Sequence, residues 1–534
     1  MGKIEVYETI RDGSQDKDLE LTLSDKVKIA RLVDSLGVPY IEIGWPFSND
    51  IDRKVYPRLK EYGLNAKIAA FGSTRKINST SEADDNLRAI VETETPVATI
   101  FGKSWTLHVE KQLRASLEQN LNAIYSSVLF LKKFHPEVIF DAEHFFDGFK
   151  ADSNYALRCI DAAFDAGADR LILCDTNGGA FPWEIRETTK QVIEYYLKQN
   201  KKAKLGIHAH NDGGFGVANT IEFVNLSNNP RFEPYIVQVQ GTFGGFGERI
   251  GNADLFQILG NLDIGRMGIP TDVDDNRTKL TDVFNEICDI VEVRPYVNTP
   301  FVGKNAGGHK AGVHADGKMK GASYDFYDLT RVGNKPSIVI SNQSGTANIV
   351  LLAESFGYDI KKSDSRIKAL LAEFKRMSDM GYRNGSLEAE QYLLVDECLG
   401  NSKMFFSITH HKVVDEDGLS TCELEGKVNG AHDKINTTVR GGPVDATYHA
   451  MQGLLSKKYS SIKGVELLHY WVKDIENGEN LGAAAKVRVK VEFKYKKDGR
   501  NYYWENVGVS HDIIAASREV IEKGFRYHLL KHEK

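Results

Sequence analysis

Along the first half of the chain, apolar residues come in two alternating rhythms. Ile4–Ile10 is a short strand-like run, broken by Arg11-Asp12-Gly13. From Ser24 to Leu36 the apolar positions Val27, Ile29, Ala30, Val33 and Leu36 fall on one helical stripe, which stops at Gly37. The same alternation then recurs. Strands are expected at Val38–Ile43, Ala66–Ala70, Val97–Phe101, Val138–Ala142, Arg170–Cys174, Lys204–His210 and Ile236–Thr242. Between them lie helical segments, among them Lys111–Phe134, Tyr155–Ala166, Trp183–Gln199 and Val217–Leu226, and Ala253–Leu262 closes the series. Eight strand–helix units in about 260 residues predict a closed (β/α)8 TIM barrel more readily than an open sheet.

A barrel of this kind places its chemistry at the C-terminal strand ends and in the loops that follow. Polar residues collect there: Arg11-Asp12 after unit one, Asp141-Ala142-Glu143-His144 in unit five and Asp175-Thr176-Asn177 after unit six. Unit seven ends in His208-Ala209-His210, and unit eight runs into Gly244-Gly245-Phe246-Gly247-Glu248-Arg249 and then Asn252. Residues two apart on a strand share a face, so His208 and His210 project together. With Asp12 they make a set of one carboxylate and two imidazoles, suited to Mn²⁺, Co²⁺, Fe²⁺ or Zn²⁺, or to Mg²⁺ completed by water. Asn252 offers either a further oxygen or an N-cap for the helix after it. Arg11 is either a strand-end ion pair or a cation aimed at a developing oxyanion. Glu143 reads as a general base, a partner to a metal ligand or a surface carboxylate. Thr176 reads as a hydrogen-bond donor to a substrate carboxylate or as a turn hydroxyl.

Composition narrows the function classes. The chain has 534 residues, enough for two or three domains, with 41% apolar and 27% charged residues. A net charge of −6 leaves no basic excess for a nucleic-acid partner. Five cysteines (Cys159, Cys174, Cys288, Cys398, Cys422) are scattered and never spaced CxxC. That pattern suggests reduced thiols in a cytoplasmic setting. Neither a signal-peptide pattern nor an apolar run long enough for a bilayer is present.

Arg11-Asp12-Gly13-Ser14-Gln15 resembles the RDGxQ signature of the acyl-CoA/2-keto-acid condensing enzymes, which include the 2-isopropylmalate, citramalate and homocitrate synthases. His208-Ala209-His210-Asn211-Asp212 matches that family's HxHND segment. Gly244 to Asn252 resembles its glycine-rich GER-x-GN segment. Within the family, Gly44 to Asn49, Thr99 to Trp105, Asp141 to Gly148 and Cys174 to Gly179 look most like the citramalate synthase branch. The lead into Arg11 departs from the family's DTTL: here it is Tyr7-Glu8-Thr9-Ile10. The resemblance implies that Asp12, His208 and His210, with Asn252 nearby, hold a divalent metal (Mn, Mg, Zn or Co). It implies that Arg11 and Thr176 engage the keto acid and that Glu143 takes part in acid–base chemistry.

Beyond the barrel, Gly308-His309-Lys310-Ala311-Gly312-Val313-His314 is by itself a flexible polar loop. The family has an HKxGxH loop that reaches the neighbouring subunit's barrel mouth, and by that resemblance His314 and Tyr324 are candidates for a base relay supplied in trans. From Met404 the pattern changes. Lys486–Phe493 alternates strictly, as a strand with one buried face does. Gly441 to Ala446 and Val509 to Ala516 each precede a helical run, which suggests a two-fold internal repeat. The expected organisation is a barrel over 1–268, a mostly helical linker over 269–402 and a C-terminal α+β regulatory domain over 403–534. The resemblance implies a homodimer that binds an end-product amino acid, isoleucine or leucine, in that last domain. An unliganded dimerisation module is the plainer alternative.

The activity this resemblance implies is condensation of acetyl-CoA with pyruvate to citramalate and CoA, in the branched-chain amino-acid (isoleucine) pathway. Three other readings stand beside it: the same chemistry on 2-ketoisovalerate, a metal-dependent C–C lyase, and a non-catalytic effector-binding dimer.

Overall fold

The computed structural model describes residues 2–263, 265–308, 325–335, 338–341, 344–382, 385, 387–400, 403–475, 485–497 and 500–533. His314 and Tyr324 lie outside the described residues. The chain divides into two compact units, residues 1–307 with 327–336 and residues 308–326 with 337–534.

In the first unit eight parallel strands close into a barrel in chain order: β1 (Glu5–Thr9), β2 (Tyr40–Gly44), β3 (Lys67–Ser73), β4 (Val97–Lys103), β5 (Glu137–Glu143), β6 (Arg170–Asp175), β7 (Leu205–Ala209) and β8 (Ile236–Gly241), with β8 paired back to β1. Each expected strand is present. Outward-facing residues such as Val6, Ile41, Ile100, Phe140, Leu173, Ile207 and Val239 are buried under the surrounding helices. One helix differs from the expectation. In place of a helix over Lys111–Phe134, a π turn at Val109–Leu113 ends at left-handed Arg114, and the helix itself spans Leu117–Leu131. The Ser116 side chain accepts from the Gln119 amide while Gln119 reaches back to Ser116, and this reciprocal cap sets the start against the apolar periodicity.

The inward positions are layered. At the N-terminal end Arg170 donates to both Glu5 oxygens at 2.6 and 2.7 Å, to Glu137 at 2.9 Å and to the Tyr40 hydroxyl at 2.6 Å. Burial opposes the Arg170 charge, but these partners hold it more firmly protonated than in water. Above it Tyr7, Tyr40, Ala69, Val97, Ile139, Ile172 and Cys174 form a small apolar plug. The layer above that is polar and belongs to the site.

In the second unit the helices Thr346–Ser355, Ser365–Asp379 and Glu388–Leu399 share a core. Two βββα repeats follow. The strands Phe406–Glu416, Leu419–Val428 and Ala431–Val439 lead to helix Pro443–Ser456; Val465–Asp474, Val487–Lys497 and Arg500–Ser510 lead to helix Ile513–His532. Each trio is an antiparallel sheet with Leu419–Val428 or Val487–Lys497 in the middle. Val489, Val491 and Phe493 are buried while Lys490 and Glu492 are not, the one-faced strand the alternation predicts.

Because Arg170 neutralises two partly buried carboxylates, Arg170→Met is expected to destabilise the barrel by about 3–5 kcal/mol. The measurement is amide exchange along β1, β5 and β6. Unchanged exchange there would contradict a stabilising role for the pairing of Arg170 with Glu5 and Glu137.

Candidate active site

The C-terminal mouth of the barrel gathers residues from β1, β2, β5, β7 and β8. Thr9 ends β1 and its hydroxyl oxygen accepts from the Asp12 backbone N–H at 3.2 Å, which starts a one-turn helix over Ile10–Gly13. That turn carries Asp12 inward, where its Oδ2 lies 3.3 Å from His208 Nε2 and 3.9 Å from His210 Nε2. Their donor atoms all lie within 4.8 Å of one another, and all three residues are buried. Burial alone would push the Asp12 carboxyl up, but the Arg11 guanidinium and the two imidazoles outweigh it and hold the group well below the usual carboxylate range. Burial pulls His210 down to about 4 against the opposing pull of Asp12, with the nearby His208 and Arg249 adding to it, which favours a neutral ring with one nitrogen lone pair available. Burial also pulls on His208, but its contact with Asp12 raises it.

Asn252 sits beside this set. Its backbone bridges His210, and its amide nitrogen donates to the Phe246 carbonyl at 3.0 Å. Its Oδ1 is buried and has no partner among the described residues, and the same is true of His210 Nδ1. Gly251 makes this placement possible: at φ +93°, a Cβ there would stand 2.0 Å from the Gly245 carbonyl oxygen, so only glycine lets the two backbone segments meet. The cap alternative for Asn252 does not hold. The last barrel helix begins at Leu255, and Asp254 caps it by accepting from the Phe256 amide at 2.9 Å.

One ionised carboxylate, a neutral imidazole, a second imidazole facing the carboxylate and an orphaned amide oxygen fit a divalent cation. Buried acceptors aimed at one point repel each other unless a positive charge lies among them.

Arg11 is held on three sides. Its Nε donates to Glu42 Oε1 at 2.9 Å, its Nη1 to Gln15 at 3.1 Å, and its guanidinium lies 3.5 Å over the Phe71 ring centroid. It also stands 3.6 Å from Asp12. Glu42, 1% exposed, accepts from the Tyr7 hydroxyl at 2.9 Å and the Thr9 hydroxyl at 2.9 Å as well. Tyr7 therefore lies beneath the site, tied to Glu42 and, at 2.7 Å, to Thr99.

Glu143 ends β5 in an ion pair with Lys103, which is 9% exposed at its side chain. The Thr176 hydroxyl accepts from the His144 backbone N–H at 2.8 Å, and its carbonyl accepts from Arg249, itself paired with Asp212. His144 takes a left-handed conformation at φ 54°, and its Nδ1 meets Asp147 at 2.9 Å. The barrel thus brings Arg11, Asp12, His208, His210 and Asn252 together and sets Glu143 and Thr176 on strand ends β5 and β6.

Sequence reading gave no role to Glu42, Lys103, Asp141 or Gln240, although Asp141 stood among the polar residues at the end of strand five. Their signal was a polar residue inside an apolar strand, as in Tyr40-Ile41-Glu42-Ile43 and Ile236-Val237-Gln238-Val239-Gln240. In a closed barrel such a residue faces inward.

Family models match most of the chain: HMGL-like over residues 4–287, homocitrate synthase post-HMGL domain-like over 301–382, and the LeuA allosteric (dimerisation) domain over 387–529. An (R)-citramalate synthase of Aquifex aeolicus is 39% identical over 99% of this chain and 98% of its own. One from Sulfolobus acidocaldarius is 39% identical over 98% of this chain and 97% of its own. A 2-isopropylmalate synthase of Rhodopseudomonas palustris is 28% identical over 91% of this chain and 88% of its own.

Burial and the neighbouring Glu42 push Asp141 up to about 7 from its ordinary 3.8. A carboxyl raised on folding costs stability as pH climbs between those values, because the unfolded chain releases the proton first. In chelator-treated protein, Asp141→Asn is therefore expected to raise the melting temperature more at pH 8 than at pH 5. An equal change at both pH values would refute a buried, neutralised Asp141.

Proposed function

From the premise that this chain belongs to the acyl-CoA/2-keto-acid condensing family of the citramalate, 2-isopropylmalate and homocitrate synthases, we propose that it condenses acetyl-CoA with pyruvate to give citramalate and CoA. The observation that carries this reading is full-length likeness to citramalate synthases at 39% identity, against 28% for 2-isopropylmalate synthase. Identity confined to the barrel would support only the fold.

Asp12, His208 and His210, with the Asn252 oxygen, would hold a divalent cation. When bound, that cation polarises the carbonyl of the keto acid. Arg11, held by Glu42 and Phe71, supplies a fixed positive charge where the alkoxide develops and costs no reorganisation at that moment. Thr176 contributes a hydroxyl toward the keto-acid carboxylate. His314, assisted by Tyr324, takes the methyl proton of acetyl-CoA, and a second copy of the chain supplies both; Glu143, beside Lys103, is the base candidate within the barrel. The enolate carbon then bonds to the keto carbon, and water cleaves the thioester, which makes the sequence irreversible.

Residues 269–402 act as the linker between the barrel and the regulatory domain of a homodimer. The match to an allosteric dimerisation domain over 387–529 supports regulation by an end-product amino acid, isoleucine for this activity, and leucine in the isopropylmalate reading. A cavity of about 620 Å³ at helix Pro443–Ser456, lined by Asp445, Tyr448, His449 and Gln452, has the acid, base and amide groups such a ligand needs. Among the described residues no helix is long and apolar enough to cross a membrane, and we place the enzyme in the cytoplasm.

The test is release of CoA thiol from acetyl-CoA with Mn²⁺ or Mg²⁺, compared across pyruvate, 2-ketoisovalerate and 2-ketoglutarate. Pyruvate is expected to be the best substrate. Asp12→Ala and His210→Ala should each lower kcat by about 10³-fold, or roughly 4 kcal/mol. Preference for 2-ketoisovalerate would move the chain to the isopropylmalate reaction; no thiol release with any keto acid would sink the condensation reading.

A further inference from the structure

The two inward-facing glutamines of β8 form a ladder from the base of the barrel to the metal-ligand set. Gln238 Nε2 lies 3.5 Å from Glu5 Oε2, at the floor. One rung higher, Gln240 Nε2 lies 3.5 Å from Gln238 Oε1 and 3.4 Å from Asp141 Oδ1. Its Oε1 lies 3.1 Å from His208 Nδ1, and His208 Nε2 faces Asp12 at 3.3 Å. Gln238, Gln240 and His208 are all buried.

This arrangement leaves the Gln240 amide one satisfactory orientation. Its nitrogen faces two oxygens, and the Gln238 one decides: the Glu5 carboxylate, paired with Arg170, takes the Gln238 amide nitrogen, so the Gln238 oxygen can only accept and Gln240 must donate to it. Turned over, its own oxygen would oppose the Gln238 oxygen without water to intervene. The oxygen therefore points at His208 Nδ1, which satisfies it only by carrying the ring proton. Nε2 is then the ring nitrogen left to bind a cation, on the side where Asp12 stands. A ligating imidazole whose other nitrogen donates to a fixed acceptor has its tautomer and ring angle set in advance.

We infer that Gln240 is the positioning residue of the metal set: oriented by Asp141 and Gln238, it holds the proton on His208 Nδ1 and so presents Nε2 to the cation. The residue binds neither substrate nor metal. Glutamine suits the role because it accepts from His208 without placing a further buried negative charge near Glu42. The inference rests on the reading of Asp12, His208 and His210 as metal ligands, and its test separates the two.

The full chain is stripped of metal and titrated with Mn²⁺ alone by calorimetry, for the wild type, Gln240→Met and Gln240→Glu. Methionine keeps the volume and loses the acceptor; glutamate, kept protonated by burial, keeps an acceptor toward His208 and an O–H donor toward Gln238. Gln240→Met is expected to bind Mn²⁺ about 10- to 100-fold more weakly, with Gln240→Glu close to wild type and all three folded by circular dichroism. Unchanged affinity in Gln240→Met, or equal loss in both variants, overturns the inference and leaves the ligand set standing. A wild-type chain that does not bind Mn²⁺ overturns both. Should Gln240→Met fail to fold, nitrogen-15 histidine spectra of the Zn²⁺-loaded wild type decide: the ring proton of His208 is expected on Nδ1, and ligation through Nδ1 instead refutes the role.

Discussion

Closing eight parallel strands on themselves forces every second side chain into an interior that excludes water, and the rest of this site depends on how the charges placed there are compensated. An apolar interior would need no such arrangement. This barrel puts Glu5, Glu42, Asp141, Glu137 and Arg170 inside, together with the inward ends of Arg11, Asp12 and two histidines. Left unpaired, each would cost several kcal/mol or lose its charge. The barrel meets the demand in two polar layers separated by an apolar one. The lower layer pairs Arg170 with Glu5 and Glu137. The upper layer pairs Arg11 with Glu42 and leaves Asp12 with two imidazoles.

The difference between those layers is functional. At the floor, acid and base satisfy one another directly, and Tyr40 and Lys67 complete the set. At the mouth Asp12, His208 and His210 bring ligand atoms within 4.8 Å of one another. Asn252 Oδ1 has no partner among the described residues, and Asp12 lies closer to His208 Nε2, at 3.3 Å, than to the Arg11 guanidinium, at 3.6 Å. Ligand atoms converging in a buried pocket are the electrostatic description of a cation site. Glu42 shows the opposite use of burial. By taking hydrogen bonds from Tyr7, Thr9 and Arg11 at once, it fixes the arginine against Phe71 and ties the strand-one motif to strand two.

Tyr7 illustrates how a departure from the family lead can leave the chemistry intact. It stands where the family has an aspartate, yet its hydroxyl bonds Glu42 and Thr99 below the ligand set, and its ring stacks on Tyr40 at 5.8 Å. The change alters the support beneath Arg11 and leaves Asp12 in place. Likewise, Asn252 was open between a cap and an oxygen ligand. The decision came from a neighbour two residues on, Asp254, which took the cap and freed Asn252 to sit beside His210.

Strand and helix periodicity, read from the chain, determined the eight-unit barrel, because a residue's tendency to face in or out is local and repeats every two or every 3.6 positions; the C-terminal repeat was legible in two segments, Gly441 to Ala446 and Val509 to Ala516, that each lead into a helix. The pairing of His208 with His210 was legible from the same alternation: His208 lies on β7 and His210 continues it one residue past the end. What only the tertiary structure decided was which distant residues share a point in space. Asp12 meets the histidines nearly two hundred positions later because β1 closes against β8, beside β7. Glu42 meets Arg11, and Asp141 meets Gln240, across the barrel interior. Local sequence carries no record of those meetings. They follow from closure, which sets strands far apart in the chain around one dry interior and makes each inward polar group find its partner there.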